Sequence, residues 1–198
     1  MRPLIFLILL ASSTLQAAGL PAVQTGDLIF HTSRSAQSLA VQRATGSPYS
    51  HMGVILLQNG QPCVFEAVKT VRCTPLANWI ARGEGGHFVL KRLRAAPDAG
   101  AQAKLQNAAR AFVGRPYDLT FEWSDQRIYC SELVWKLYDR ALGIRIGELQ
   151  QLRDFKLDDA AVRAKMRERY GEKVPLAEPV ISPVAMFESV LLVEVLRR

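Results

Sequence analysis

The sequence predicts an α+β domain in which an antiparallel sheet packs against helices. Three observations carry that expectation. Short β-rich apolar runs fill the first half of the chain, helical stripes fill the second, and one apolar run returns near the end; strands followed by helices mark an α+β order. Asn59-Gly60, flanked by apolar segments, marks a tight hairpin. From Cys130 to Leu142, Leu133, Val134, Leu137, Tyr138, Ala141 and Leu142 recur at helical spacing.

The elements follow in order. Gly26-Asp27 opens a strand, Leu28 to Phe30, and Ser35 to Ala44 reads as a short helix. His51 to Leu57 is a strongly apolar strand whose partner is Val64 to Val68. With Asn59-Gly60 as a two-residue loop, Gln58 faces Gln61, and His51, Gly53, Glu66 and Val68 share one face of the sheet. Lys69-Thr70 reads as a second two-residue turn into a strand over Val71 to Thr74. That register sets Cys73 on the face of Glu66 and Cys63 on the opposite face. A disulfide needs Cβ atoms that point together, so no Cys63–Cys73 bond is expected. Leu76 to Arg82 reads as a helical turn and His87 to Leu93 as a strand. Helices are expected over Asp98 to Val113, Cys130 to Leu142 and Asp158 to Tyr170, stopped by Gly114, Gly143 and Gly171. Pro183 to Glu188 closes as a further helix, and Val190 to Val195 as the returning strand.

A length of 198 residues, 49% of them apolar, suits one ordinary domain and excludes a wholly disordered chain. The N-terminus combines Arg2, an aliphatic run from Leu4 to Leu10, and small residues around Ala17-Ala18-Gly19. This is the pattern of a secretory signal peptide, expected over residues 1–19, with 20–198 as a single exported domain, periplasmic after cleavage. No second apolar stretch supplies a transmembrane anchor. The net charge of +7 is scattered without a Lys/Arg block, so no nucleic-acid partner is expected. A mild basic balance suits anionic envelope polymers. Three cysteines in an oxidising compartment leave at least one thiol unpaired.

Cys130 stands at the first turn of the most strongly patterned helix. Unpaired N–H groups and the helix dipole there favour thiolate over thiol, and the same N–H groups can hold an oxyanion. A buried free cysteine is also an ordinary small hydrophobe. Of His31, His51 and His87, only His51 shares a sheet face with a carboxylate inside an apolar strand, Glu66. A carboxylate in that setting needs a partner: His51, or else Lys69 or Arg72 nearby. The combination offers a nucleophile (Cys130), a base (His51) and an orienting carboxylate (Glu66). Neither paired metal-ligand spacing nor a phosphate-binding loop is seen, so no metal or cofactor is expected.

The same residues lie in Gly26-Asp27-Leu28-Ile29-Phe30, Ser50-His51-Met52-Gly53-Val54, Phe65-Glu66-Ala67, Gly114-Arg115-Pro116-Tyr117-Asp118 and Tyr129-Cys130-Ser131-Glu132-Leu133-Val134, with Arg169-Tyr170-Gly171 and Ser182-Pro183 in the tail. In this order they resemble the YiiX-like permuted papain-fold cysteine amidohydrolases of the NlpC-like superfamily. The resemblance implies a circularly permuted papain-like fold in which the Cys130 helix start packs against the sheet bearing His51. It implies Glu66 as third member of the triad, and Tyr117 and Tyr129 as residues bordering the oxyanion or substrate. The order departs from the unpermuted one, because the cysteine helix follows the histidine strand. The segment from about 144 to 183 lies outside the shared core, as a helical elaboration that could shape or cover the cleft. The implied activity is cleavage of an amide bond, with an envelope peptide or peptidoglycan fragment as substrate. A lipid acyl hydrolase or acyltransferase, and a catalytically silent envelope binding module, are the alternatives.

Overall fold

The computed structural model describes residues 23–198; the expected signal peptide lies outside the described residues. Six strands form one antiparallel sheet in the order β4-β3-β2-β1-β5-β8. They are β1 (Leu28–His31), β2 (His51–Gln58), β3 (Gln61–Ala67), β4 (Val71–Pro75), β5 (Val89–Leu93) and β8 (Leu192–Arg197). A two-stranded ribbon pairs β6 (Gln150–Gln151) with β7 (Pro179–Val180). The helices are α1 (Ser38–Thr45), α2 (Leu76–Arg82), α3 (Ala99–Ala109), α4 (Cys130–Leu142), α5 (Ala160–Tyr170) and α6 (Pro183–Phe187). Among the described residues no helix is long and apolar enough to cross a membrane.

Alternation along the strands divides the core. Leu28, Phe30, Met52, Val54, Leu56 and Phe65 face the α3–α4 side, where Leu105, Leu133, Leu137 and Tyr138 pack onto them. Ile29, Ile55, Val64 and Leu90 face the other side, covered by Leu76 and Trp79 of α2. Both faces being covered explains why the central strands read as apolar runs and not as clean alternation. The Gly26-Asp27 motif is structural: Asp27 is buried and holds Arg92 of β5 through two bonds of 2.6 and 2.8 Å.

The β2–β3 register matches the Asn59-Gly60 expectation, with Gln58 opposite Gln61 and Val54 opposite Phe65. The β3–β4 register does not match. Ala67 faces Val71, so the loop holds Val68, Lys69 and Thr70 and is one residue longer than expected. Cys73 therefore faces Phe65 and shares a face with Cys63, and the two form a disulfide with Cα atoms 5.5 Å apart. A slip of one residue exchanges every side chain between faces, which overturned the expectation of two unbridged thiols. The physical reason lies in the turn. Lys69-Thr70 lacks the Gly, Asn or Asp that a two-residue primed turn demands. The longer loop is instead held from outside, by the Tyr117 N–H donating to the Lys69 carbonyl at 3.1 Å and by a bridge between Thr70 and Pro116.

Candidate active site

Cys130 is the free cysteine, buried at the first residue of α4. Its helix start is fixed by local chemistry. The buried Glu132 carboxylate accepts the Tyr129 N–H at 3.2 Å and pairs with Lys136 one turn on, at 2.7 Å. Burial raises the Glu132 carboxyl to about 7 against the pull of Lys136, which limits negative charge beside the thiol.

His51 opens β2 where the α4 N-terminus meets the sheet. Its Nε2 bonds Glu66 Oε2 at 2.7 Å, and it lies close enough to Cys130 for each to shift the other's ionisation. An imidazole has two ring nitrogens, so with Nε2 committed to Glu66, Nδ1 is the one left to exchange a proton with the thiol. Glu66 is fully buried and takes three further donors: Thr74 Oγ1 at 2.6 Å, Trp79 Nε1 at 2.9 Å and Arg82 Nη2. These satisfy the carboxylate that the sequence left in need of a partner. The partners are His51 and three residues that sequence reasoning missed; Lys69 and Arg72 make no bond to it. Gly53 lets the strands close over this carboxylate. A Cβ there would stand 2.4 Å from Val64 Cγ1 and 2.8 Å from the Phe65 carbonyl oxygen.

The charges follow from these contacts. Burial pushes the Glu66 carboxyl up, but His51, Thr74 and Arg82 outweigh it and hold it at about 2. Burial opposes charge on His51, yet its interactions with Cys130 and Glu66 raise it to about 9. Burial also works against the Cys130 thiolate, but His51 and the backbone N–H groups of Met52 and Ser131 bring the thiol below its ordinary range. Both shifts act in favour of a thiolate–imidazolium pair, with the Glu66 carboxylate beside it. His31, opposite His51 in the β1–β2 register, stacks on Trp79 with ring centroids 3.8 Å apart. Burial, then the charges of His51 and Arg82, lower it to about 3, so it stays neutral.

Tyr117 is half-buried beside this pair. Its backbone is clamped between the β3–β4 loop and Ile128, two residues before Cys130. The following Asp118 shapes the turn by accepting the N–H and hydroxyl of Thr120, each at 2.8 Å. Gln37 donates to the Tyr117 oxygen at 2.6 Å, and Gln37 in turn accepts Arg169 Nη2 at 2.5 Å. Burial and the charge at Cys130 hold the phenol well above its usual range, with Gln37 and Arg169 pulling the other way. Tyr117 thus keeps its proton, and with its oxygen occupied by Gln37 it can donate that proton toward the site. Tyr129 is placed differently: its hydroxyl accepts the Ile181 N–H at 3.0 Å, tying the tail to α4.

Two depressions meet at Tyr117 and Gln37. One is a cavity with Cys130 in its wall and a mainly apolar surface that includes Val41 of α1, Leu152, Phe155, Val162 and Met166, with Lys165 and Arg169 also in its wall. Much of this wall comes from the 144–183 segment. The other is a groove with His51 in its wall.

This fold and site define a papain-like cysteine hydrolase in which the histidine strand precedes the cysteine helix. Residues 22–195 match the model of a family described as permuted papain-like amidases, YaeF/YiiX, C92. The chain belongs to that family. It is 51% identical over 166 residues to a protein described as uncharacterized protein YiiX from Escherichia coli K12, covering 84% of this chain and 82% of that one. A crystal structure described as metalloprotein YiiX from Escherichia coli O157:H7 superposes with a TM-score of 0.87 at 50% identity, covering 88% of this chain and 97% of that one. The family identifies the protein as a cysteine amidase or peptidase.

Proposed function

We propose that the protein is an exported amidase whose substrate carries an apolar acyl group, cleaved through a thioester on Cys130. The Cys130 thiolate attacks the carbonyl carbon. The backbone N–H groups at the α4 start and the Tyr117 hydroxyl hold the oxyanion. The C–N bond breaks with its electron pair on nitrogen, and His51 gives its proton to the departing amine. Water then attacks the thioester, His51 takes a water proton, and thiolate and acid are released. Glu66 fixes the imidazole and steadies its charge throughout.

The observation that carries the acyl reading is the apolar cavity with Cys130 in its wall. Short polar stem peptides of the cell wall, the substrate expected from the resemblance, leave such a cavity unused; an aliphatic chain fills it at roughly 25 cal/mol for each Å² removed from water. The Cys63–Cys73 disulfide supports export, since such bonds persist in oxidising compartments. The described residues do not suit a metal centre. No three His, Cys, Asp or Glu side chains gather to hold one among the described residues, and the Glu66 oxygens are already engaged by four donors.

The test is hydrolysis of N-dodecanoyl and N-acetyl amides beside purified muropeptides, with acyl-Cys130 trapped by acid quench and located by mass spectrometry. Preferential turnover of the dodecanoyl amides is expected. Cleavage of muropeptides with inert dodecanoyl amides would overturn the acyl reading in favour of the cell wall. Fractionation and N-terminal sequencing of the mature chain test export, with a start near residue 18 or 20 expected.

A further inference from the structure

Both depressions have cationic residues and no Asp or Glu in their described walls, but in the cavity Lys165 pairs with Glu168 and Arg169 bonds Gln37, whereas the groove on the His51 side carries two cations without such partners. Arg34, Lys69 and Arg82 line it together with His31, His51 and Tyr117, and its described lining residues include neither Asp nor Glu. Arg82 is engaged by Glu66. Arg34 and Lys69 are exposed and have no carboxylate partner among the described residues, so their charge stands uncompensated at the groove. His51 lines the groove and not the cavity, whereas Cys130 lines the cavity and not the groove.

That division fixes which part of a substrate goes where. The acyl group stays on the Cys130 sulfur after the C–N bond breaks, and the amine leaves with the proton that His51 supplies. The amine half must therefore lie on the His51 side. We infer that the groove is a subsite for the leaving amine and selects amines that carry an anionic group, a carboxylate or a phosphate, held by Arg34 and Lys69. This deepens the reading of Cys130 and His51 as nucleophile and acid, and it rests on that reading. The substrate class becomes an amide joining an apolar acyl chain to an anionic amine. Guanidinium and ammonium groups suit this task because both bind carboxylate and phosphate through charged N–H donors.

The experiment has one arm that needs substrate and one that does not. In the first, N-dodecanoyl glycine and N-dodecanoyl phosphoethanolamine are compared with the neutral N-dodecanoyl ethanolamine and the cationic N-dodecanoyl ethylenediamine. Anionic amides are expected to show kcat/KM about tenfold above the neutral one and further above the cationic one. The preference should shrink as salt is raised, because exposed charges are screened. Arg34→Gln and Lys69→Gln should each reduce it roughly threefold, the scale of one charge pair a few ångströms apart in a water-like dielectric. The carboxylate and phosphate members separate the two anion sources.

In the second arm, Cys130 is alkylated with iodoacetate and with iodoacetamide. The ratio of the two rates should fall several-fold in the Arg34→Gln/Lys69→Gln double variant, while iodoacetamide alone reacts as before. An unchanged ratio together with equal turnover of all four amides would overturn the subsite. A Cys130 inert to both reagents would instead overturn the nucleophile reading on which the subsite rests. Inert dodecanoyl amides with a charge-dependent alkylation ratio would keep the anion subsite and remove only the acyl-chain assignment.

Discussion

On the α2 side of Cys130, Glu66 is buried and takes hydrogen bonds from His51, Thr74, Trp79 and Arg82. On the α5 side the wall presents mainly apolar surface, from Val41, Phe155, Val162 and Met166 among others, with Lys165 and Arg169 also in it. The first region is over-determined: strands β2, β3 and β4 and helix α2 all contribute to one carboxylate, so the imidazole has little freedom. The second presents mainly apolar side chains, aliphatic and aromatic, that can accommodate volume changes without leaving a buried polar group unpaired. Reaction geometry is sensitive to displacements near an ångström, whereas apolar selectivity changes gradually with each methylene. On the proposed reading, the rigid polar region serves the chemistry and the apolar region the choice of acyl group.

The largest effect should come from the residue between the two regions. Cys130→Ala and Cys130→Ser should lower turnover to background while leaving the melting temperature nearly unchanged, since the site loses a thiol and little packing. Measurable hydrolysis by Cys130→Ala would move the chemistry away from this site.

Next comes the polar region itself. Glu66→Gln should lower kcat on the order of a hundredfold or more, because the amide orients the imidazole less well and no longer stabilises its charge. The pH profile gives an independent reading. In the wild type the thiolate–imidazolium pair persists between the lowered Cys130 ionisation and the His51 ionisation at about 9. Activity should therefore rise at a pH below the usual thiol range and fall near pH 9. Removing the negative charge of Glu66 lowers the His51 pKa, so the alkaline limb should shift toward neutral pH. An unshifted limb would mean that Glu66 does not act through His51.

The polar region was partly legible in the sequence, and the apolar one was not. Asn59-Gly60 dictates its own turn, so the register that brings His51 to Glu66 follows from local chemistry. Lys69-Thr70 dictates nothing, and its loop is settled by Tyr117, which is distant in sequence; the face of Cys73 could not be read locally. Trp79 and Arg82 stand one turn apart on a helix that was expected, but their meeting with Glu66 depends on how α2 docks on the sheet. The cavity joins α1 with residues after 150, a pairing on which periodicity is silent. The 144–183 segment reads as a helical elaboration that could shape or cover the cleft; that Ile146, Leu152, Val180 and Ile181 enter the core, and which residues form the cavity wall, follow only from tertiary packing.

The apolar region can be probed without touching the polar one. Met166→Trp should fill the cavity and lower kcat/KM for dodecanoyl amides by about tenfold or more, the scale of a few methylene groups excluded. Turnover of acetyl amides and the pH profile should stay as in wild type. Equal losses for both chain lengths would indicate a distorted site and not a shortened cavity. The disulfide should affect stability more than rate. Cys63→Ala/Cys73→Ala is expected to cost about 2–3 kcal/mol in chemical denaturation, as for a short cross-linked loop. Its kcat should change little, because the bridge lies on the sheet face opposite Glu66.

The smallest effect should arise where the two regions touch. Arg169 belongs to the apolar side by position, yet through Gln37 it reaches Tyr117 and hence the polar side. Gln37 can present its N–H to the tyrosine because Arg169 occupies its carbonyl oxygen, and the resulting chain aims the Tyr117 proton at the site. Gln37→Leu and Arg169→Met should each lower kcat by roughly three- to tenfold with KM little changed, a fraction of what a lost oxyanion donor costs. Tyr117→Phe should cost more than either. The decisive measurement is the double variant: once Tyr117→Phe has removed the hydroxyl, adding Gln37→Leu should have almost no further effect on kcat, because residues acting through one group are not additive. Full additivity would show that Gln37 contributes to α1 packing alone, and the two regions would then be coupled by contact and not by a hydrogen-bonded chain.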